Sequence, residues 1–140
     1  MLELKEFANI EWNNDKDNIR IYGFIINECF LYHLSSRTLI GLDIGDKVNE
    51  EAKKVVRLRK TMSFLFECLL YNAGEVIPDN GLLTEVWEKK GLRGTRHRLW
   101  EVITTLNKIL ESVGAGTDLI LRVNHRGYML NKKKVTVLFY

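Results

Sequence analysis

The chain has 140 residues, 46% hydrophobic and 28% charged, with a formal net charge of +3. That is enough for one domain with a real core, or a small domain plus an extension, and the balance excludes disordered, fibrous and collagen-like classes. Two cysteines, Cys29 and Cys68, sit in apolar runs and are too few for a disulfide framework, so reduced, buried thiols are expected.

The charge is unevenly spread. Residues 1–83 hold ten Lys/Arg against thirteen Asp/Glu, a balance of −3, whereas residues 84–140 hold eleven against five, a balance of +6. A basic C-terminal half is an electrostatic footprint suited to phosphate, although solubility alone also produces such a skew. The N-terminus lacks the basic start and apolar centre of a signal peptide. No apolar run nears the roughly 20 residues of a membrane span. A soluble, cytoplasmic chain is the expectation.

In chain order, residues 1–18 are polar and acidic and read as an arm with a loop at residues 13–18. Strand-like runs follow at residues 21–26 and 29–34, flanking the tight-turn pair Asn27-Glu28, then at residues 38–42. Residues 45–54 form a charged loop, and Val55-Val56-Arg57-Leu58-Arg59 alternates as a half-buried strand does. These runs predict a small antiparallel sheet whose apolar face needs a helix against it.

Three helical stretches come next. Thr61 is a candidate cap for the first, Met62, Leu65, Phe66, Leu69, Leu70 and Ala73 its buried stripe, and Gly74 its left-handed end. Pro78-Asp79 opens the second, with Leu82, Leu83, Val86 and Trp87 turned inward. After a short charged, glycine-containing connection at residues 88–94, the third gathers Leu99, Val102, Ile103, Leu106 and Leu110 on one side. His97, Glu101, Thr104 and Lys108 then stand opposite, flanked by Trp100, Thr105 and Asn107. An apolar hairpin closing on Arg126-Gly127-Tyr128 completes the series, and Gly127 permits either a turn or a close backbone approach.

Helix, helix, helix, hairpin is the order of a winged helix-turn-helix, an α+β fold whose third helix is shaped for a DNA groove. The expected organisation is an arm at 1–18, a winged-helix domain at 19–131 (sheet 19–60, helices 61–112, wing 118–131), and a basic and apolar tail at 132–140. That tail combines Lys132-Lys133-Lys134 with a strand-like run that needs company, from its own sheet or another chain.

Taken together, Val56-Arg57-Leu58, Gly74-Glu75-Val76-Ile77, Leu82-Leu83-Thr84-Glu85-Val86-Trp87, Ile103-Thr104-Thr105-Leu106 and Arg126-Gly127-Tyr128 resemble the OmpR/PhoB-type winged-helix DNA-binding domain. The strand stretch at residues 24–40 is similar to the ToxR/CadC branch, and the resemblance covers residues 22–131. It implies a four-stranded N-terminal sheet, three helices, and a wing reaching the minor groove. It also implies a loop between the second and third helices that touches RNA polymerase, here with Lys89, Lys90 and Arg93. Members of that branch often carry this domain on the cytoplasmic side of a membrane helix, so the chain is either a part of such a regulator or a stand-alone version. Asn107 and Asn124 depart from the pattern, standing where the family often has arginine.

The expected DNA contacts are Arg96, His97, Arg98, Trp100, Glu101, Thr104, Thr105 and Lys108 on the third helix, and Arg122, Asn124, His125 and Arg126 on the wing. The basic residues suit phosphate, and the hydroxyls of Thr104 and Thr105 suit base edges or a thymine methyl. Trp87 reads mainly as core and Tyr128 as a brace between wing and third helix. The histidines share no metal-like spacing with one another or with the cysteines, and there is no phosphate-binding glycine loop or nucleophile elbow. Neither an enzyme, a metal nor a cofactor is expected. The expected function is a sequence-specific DNA-binding domain of a bacterial transcriptional activator, with double-stranded DNA as partner and pairing on half-sites. The alternative is a winged-helix interaction module that contacts a second regulator or RNA polymerase without reading DNA.

Overall fold

A computed structural model describes residues 20–42, 55–116 and 118–140 of the chain. The polar arm and the charged loop expected at residues 45–54 lie outside the described residues. Strands β1 (Ile21–Ile26), β2 (Phe30–His33), β3 (Thr38–Gly41) and β4 (Val55–Arg57) precede helices α1 (Lys60–Tyr71), α2 (Asp79–Val86) and α3 (Arg96–Ser112). Strand β5 (Ile77–Pro78) lies between α1 and α2, a wing of β6 (Ile120–Val123) and β7 (Gly127–Leu130) follows α3, and β8 (Val135–Phe139) comes last.

The first sheet is antiparallel in the order β4-β3-β2-β1-β8. The four strands implied for the N-terminal sheet are present, and the tail adds a fifth by pairing with β1, Phe24 opposite Val137. Asn27 and Glu28 carry the β1–β2 turn at φ 51° and 56°, a left-handed pair closed by the Cys29 amide donating to the Ile26 carbonyl at 3.1 Å, and Cys29 completes the three-residue connection between the paired Ile26 and Phe30. The Asn27 amide also donates to the Lys134 carbonyl at 2.7 Å, fixing where β8 begins.

Alternation places Phe24, Ile26, Phe30, Tyr32 and Leu39 on the inner face, all fully buried. The α1 stripe covers them: Met62, Leu65, Phe66, Leu69 and Leu70 are buried as the spacing predicts, and Ala73 is buried just beyond the helix end. Edge-to-face ring pairs lock the two layers, Tyr32–Phe66 at 5.0 Å and Phe24–Tyr71 at 5.7 Å between centroids.

Thr61 does not cap α1. The helix begins one residue earlier, with Arg59 in extended geometry at the cap position and no side-chain cap bond, so Thr61 falls inside the first turn. Gly74 is left-handed as expected (φ 88°), but it lies beyond the Asn72 C-cap, and its amide donates to the Leu130 carbonyl of β7 at 2.9 Å.

The second sheet, in the order β5-β7-β6, ties the helix-turn-helix to the wing. Sequence periodicity gives no sign of β5, which pairs Ile77 with Tyr128 and Pro78 with Gly127. A Cβ on Gly127 would stand 2.0 Å from the Ile77 carbonyl oxygen, so of the two roles open to this glycine the close approach is the one realised. The wing turn is made instead by Asn124 and His125, at φ 44° and 55°.

Candidate nucleic-acid interface

Helix α3 is set by its buried side. Leu99, Ile103, Leu106 and Leu110 are buried, Val102 is half-buried, and the Thr95 hydroxyl accepts from the Arg98 amide at 3.0 Å to cap the start. The opposite side is open: Arg96, His97, Arg98, Thr105 and Lys108 are exposed, while Glu101, Thr104 and Asn107 are half-buried. Trp100 is 55% exposed and stacks on His97 with centroids 6.0 Å apart.

The charges on this face are partly matched. Glu101 takes His97 Nε2 at 2.6 Å and Arg98 Nη1 at 3.6 Å, an arrangement available to solvent and to any incoming anion. Arg96 carries no such partner in the described ion pairs and lies at the start of α3, beside the wing.

The wing stands next to α3. Between them runs an open cleft of about 460 Å³ lined by Arg96, Trp100, Thr104, Asn107, Arg122 and Tyr128. A second recess of about 320 Å³, at the start of α2, brings Asn80, Arg96, His125 and Arg126 together. Arg96 therefore joins the recognition-helix side to the wing tip, where Asn124, His125 and Arg126 are all exposed. The start of α2 lines the same recess with Pro78, Asp79 and Asn80, where the Asp79 amide is already bonded to the Arg126 carbonyl at 3.0 Å.

Arg122 sits differently from the other cations. Its guanidinium forks onto the Asp79 carboxylate, Nη1–Oδ1 at 2.5 Å and Nη2–Oδ2 at 3.1 Å, and lies 4.8 Å from the centre of the Tyr128 ring. Asp79 is only 7% exposed, and the pairing holds the guanidinium's pKa above its ordinary value. The sequence shows Asp79 as a helix start and Arg122 as a phosphate cation; their partnership, 43 residues apart, leaves no local trace.

The remaining expected residues lie away from the cleft. In the connection between α2 and α3, Lys89 pairs with Glu85 at 2.6 Å, Lys90 stands 4.5 Å over the Phe64 ring, and Arg93 is exposed. Lys134 pairs with Asp118 at 2.5 Å, and Lys132 and Lys133 are exposed beside β8. Trp87 is 3% exposed and Gly94 packs against it: a Cβ there would lie 2.8 Å from the indole. Cys68 is buried, which raises its thiol pKa to about 11, and Cys29 is half-buried and donates to the Gly114 carbonyl at 3.2 Å; both are free thiols. Among the described residues no group of His, Cys, Asp or Glu is arranged to hold a metal, and no helix is long and apolar enough to cross a membrane.

A helix-turn-helix with an uncovered, cation-bearing third helix and a hairpin standing beside it defines a winged-helix domain of the nucleic-acid-binding class. Residues 53–130 match the family of the transcriptional regulatory protein C-terminal domain. The chain belongs to that family, the OmpR/PhoB-type winged-helix DNA-binding domains of transcriptional regulators. Over 114 residues it is 32% identical to the cholera toxin transcriptional activator of Vibrio cholerae serotype O1, a match that covers 81% of this chain and 36% of that protein. The chain thus spans about a third of the curated relative's length. The fold is similar to the DNA-binding domain of Escherichia coli CadC (TM-score 0.64, 20% identity, 86% of this chain and 99% of that one). It is also similar to the DNA-binding domain of the response regulator AdeR, solved in complex with an intercistronic region (TM-score 0.57, 14% identity, 73% and 93% covered).

Proposed function

We propose that this chain gives a bacterial transcriptional activator its choice of promoter sequence, on the cytoplasmic side where the chromosome lies. The observation that carries the reading is the convergence on Arg96: the open face of α3, the tip of the wing and the start of α2 meet around one exposed guanidinium. Arg96, Arg98 and Lys108 supply phosphate contacts. Trp100, Glu101, Thr104 and Thr105 face the major groove, with His97 orienting the first two, and Asn124, His125 and Arg126 enter the adjoining minor groove.

Glu101 is a base-edge acceptor suited to a cytosine amino group, which offsets the lack of an arginine at Asn107. Base readout of this modest kind implies pairing on neighbouring half-sites. Lys89, Lys90 and Arg93 are the residues we assign to polymerase contact. We take residues 19–131 as the domain, completed by β8 from residues 132–140.

A second reading rests on Trp100 and on the Glu101 pairing, which suit a protein partner as well as DNA. The test is the triple variant R96Q/R98Q/R126Q against duplexes selected from a random-sequence library. DNA reading predicts loss of at least 100-fold in affinity with the fold intact. Retained DNA occupancy together with loss of a regulator or polymerase contact favours the second reading.

A further inference from the structure

Arg122 and Asp79 join the start of α2 to the wing, two parts of the surface that are also tied by the short backbone pairing of β5 with β7. Asp79 opens α2; Arg122 projects from β6 of the wing. Around them the Asp79 amide donates to the Arg126 carbonyl at 3.0 Å, and Pro78 pairs with Gly127. The two-residue strand β5 is short for fixing a hairpin's angle by itself, whereas a planar fork gripping a carboxylate with two parallel bonds sets both distance and direction.

We propose that Arg122 acts on DNA only indirectly, as a positioning residue: its fork on Asp79 holds the wing at the angle that puts Asn124, His125 and Arg126 in register with α3. This rests on the DNA reading above. The alternative is that Arg122 swings out to a phosphate. That move would strand a carboxylate that is 7% exposed, next to a polyanion and without its cation. The guanidinium also lies 4.8 Å from the centre of the Tyr128 ring, so although the side chain is 39% exposed its charged end is held by both the carboxylate and the ring.

The two roles give opposite results in the full chain, assayed on the duplex it prefers from a random library and on a scrambled duplex. Lysine keeps the charge but not the fork. R122K should therefore weaken the preferred duplex about 10-fold while changing scrambled-duplex binding less than about 2-fold, a loss of discrimination that simple unfolding would not produce. The slope of log affinity against log salt should stay within about 0.3 of wild type, because no phosphate contact is removed. D79N, which preserves shape, should lose discrimination in the same direction.

Wild-type discrimination in R122K, a salt slope shallower by about 0.9 in R122A, or tighter DNA binding in D79N would each overturn the inference by marking Arg122 as a phosphate ligand restrained by Asp79. A wild-type chain that binds neither duplex at low salt overturns the DNA reading itself. Unaltered binding by wild type with the R122K result just named overturns only the positioning role.

Discussion

Replacing Glu67 by glutamine should stabilise the domain, and only above mildly acidic pH. Glu67 lies on α1 facing the sheet, and its Oε2 accepts a hydrogen bond from the Tyr32 hydroxyl at 3.2 Å. Burial is the largest influence on the carboxyl and raises its pKa from 4.5 to about 7; the Tyr32 bond and the more distant Arg37 and Lys90 only moderate this.

Between those two values the folded protein holds a proton that the unfolded chain has released. Stability therefore falls as pH rises from 4.5 to about 7 and is level above it. At full strength the gap corresponds to roughly 3 kcal/mol, and because the carboxyl keeps some contact with water we expect about 2 kcal/mol. Glutamine keeps an acceptor for Tyr32 and does not titrate. Urea unfolding of both proteins should give equal stability near pH 4.5 and an advantage of about 2 kcal/mol for E67Q at pH 8. Other titrating groups cancel in the comparison. An E67Q protein less stable than wild type at pH 8, or a difference that does not change between the two pH values, would refute the reasoning.

Three further outcomes follow from the same structure. Gly127→Ala forces a Cβ to 2.0 Å from the Ile77 carbonyl and should cost about 3 kcal/mol in urea unfolding, with the β5–β7 amide protections lost first; near-wild-type stability would contradict the close approach. Leu106→Ala empties a fully buried site under α3 and should cost about 2–5 kcal/mol by thermal melting, while any protein that stays folded binds DNA normally. Trp100→Ala, at a side chain 55% exposed, should change stability by less than about 0.5 kcal/mol yet weaken DNA binding measured by retardation; a large drop in melting temperature would show that the indole belongs to the core.

What the sequence reveals depends on how repetition records structure. The stripes of α1 and α3 recur every three to four residues, and the buried sets Met62–Leu70 and Leu99–Leu110 follow that spacing. Alternation gives the inner face of β1 to β3, and Asn27-Glu28 marks its turn by chemistry alone. Strand β5 has two residues, too few for any period, so Ile77–Pro78 reads as connection. The start of α1 is misplaced because Thr61 has the chemistry of a cap while Arg59 takes the geometry.

The tail run at residues 135–140 has the composition of a strand, but composition does not name its partner; pairing with β1 depends on where the turn at Asn27 meets Lys134. At the interface, the cations on α3 are legible because they lie on one helical face. The fork between Asp79 and Arg122, and the meeting of Arg96 with the wing tip, depend on contacts between segments far apart in the chain.

The central claim is that the open face of α3 and the adjoining wing tip bind the phosphates and bases of duplex DNA. Its most direct measurement is retardation of a selected duplex across salt concentrations. Phosphate contacts from Arg96, Arg98 and Lys108 predict a slope near −2.7 and a loss of affinity of roughly 40-fold between 50 and 200 mM. Affinity that stays flat over that range, or a slope unchanged in R96Q/R98Q/R126Q, would contradict it.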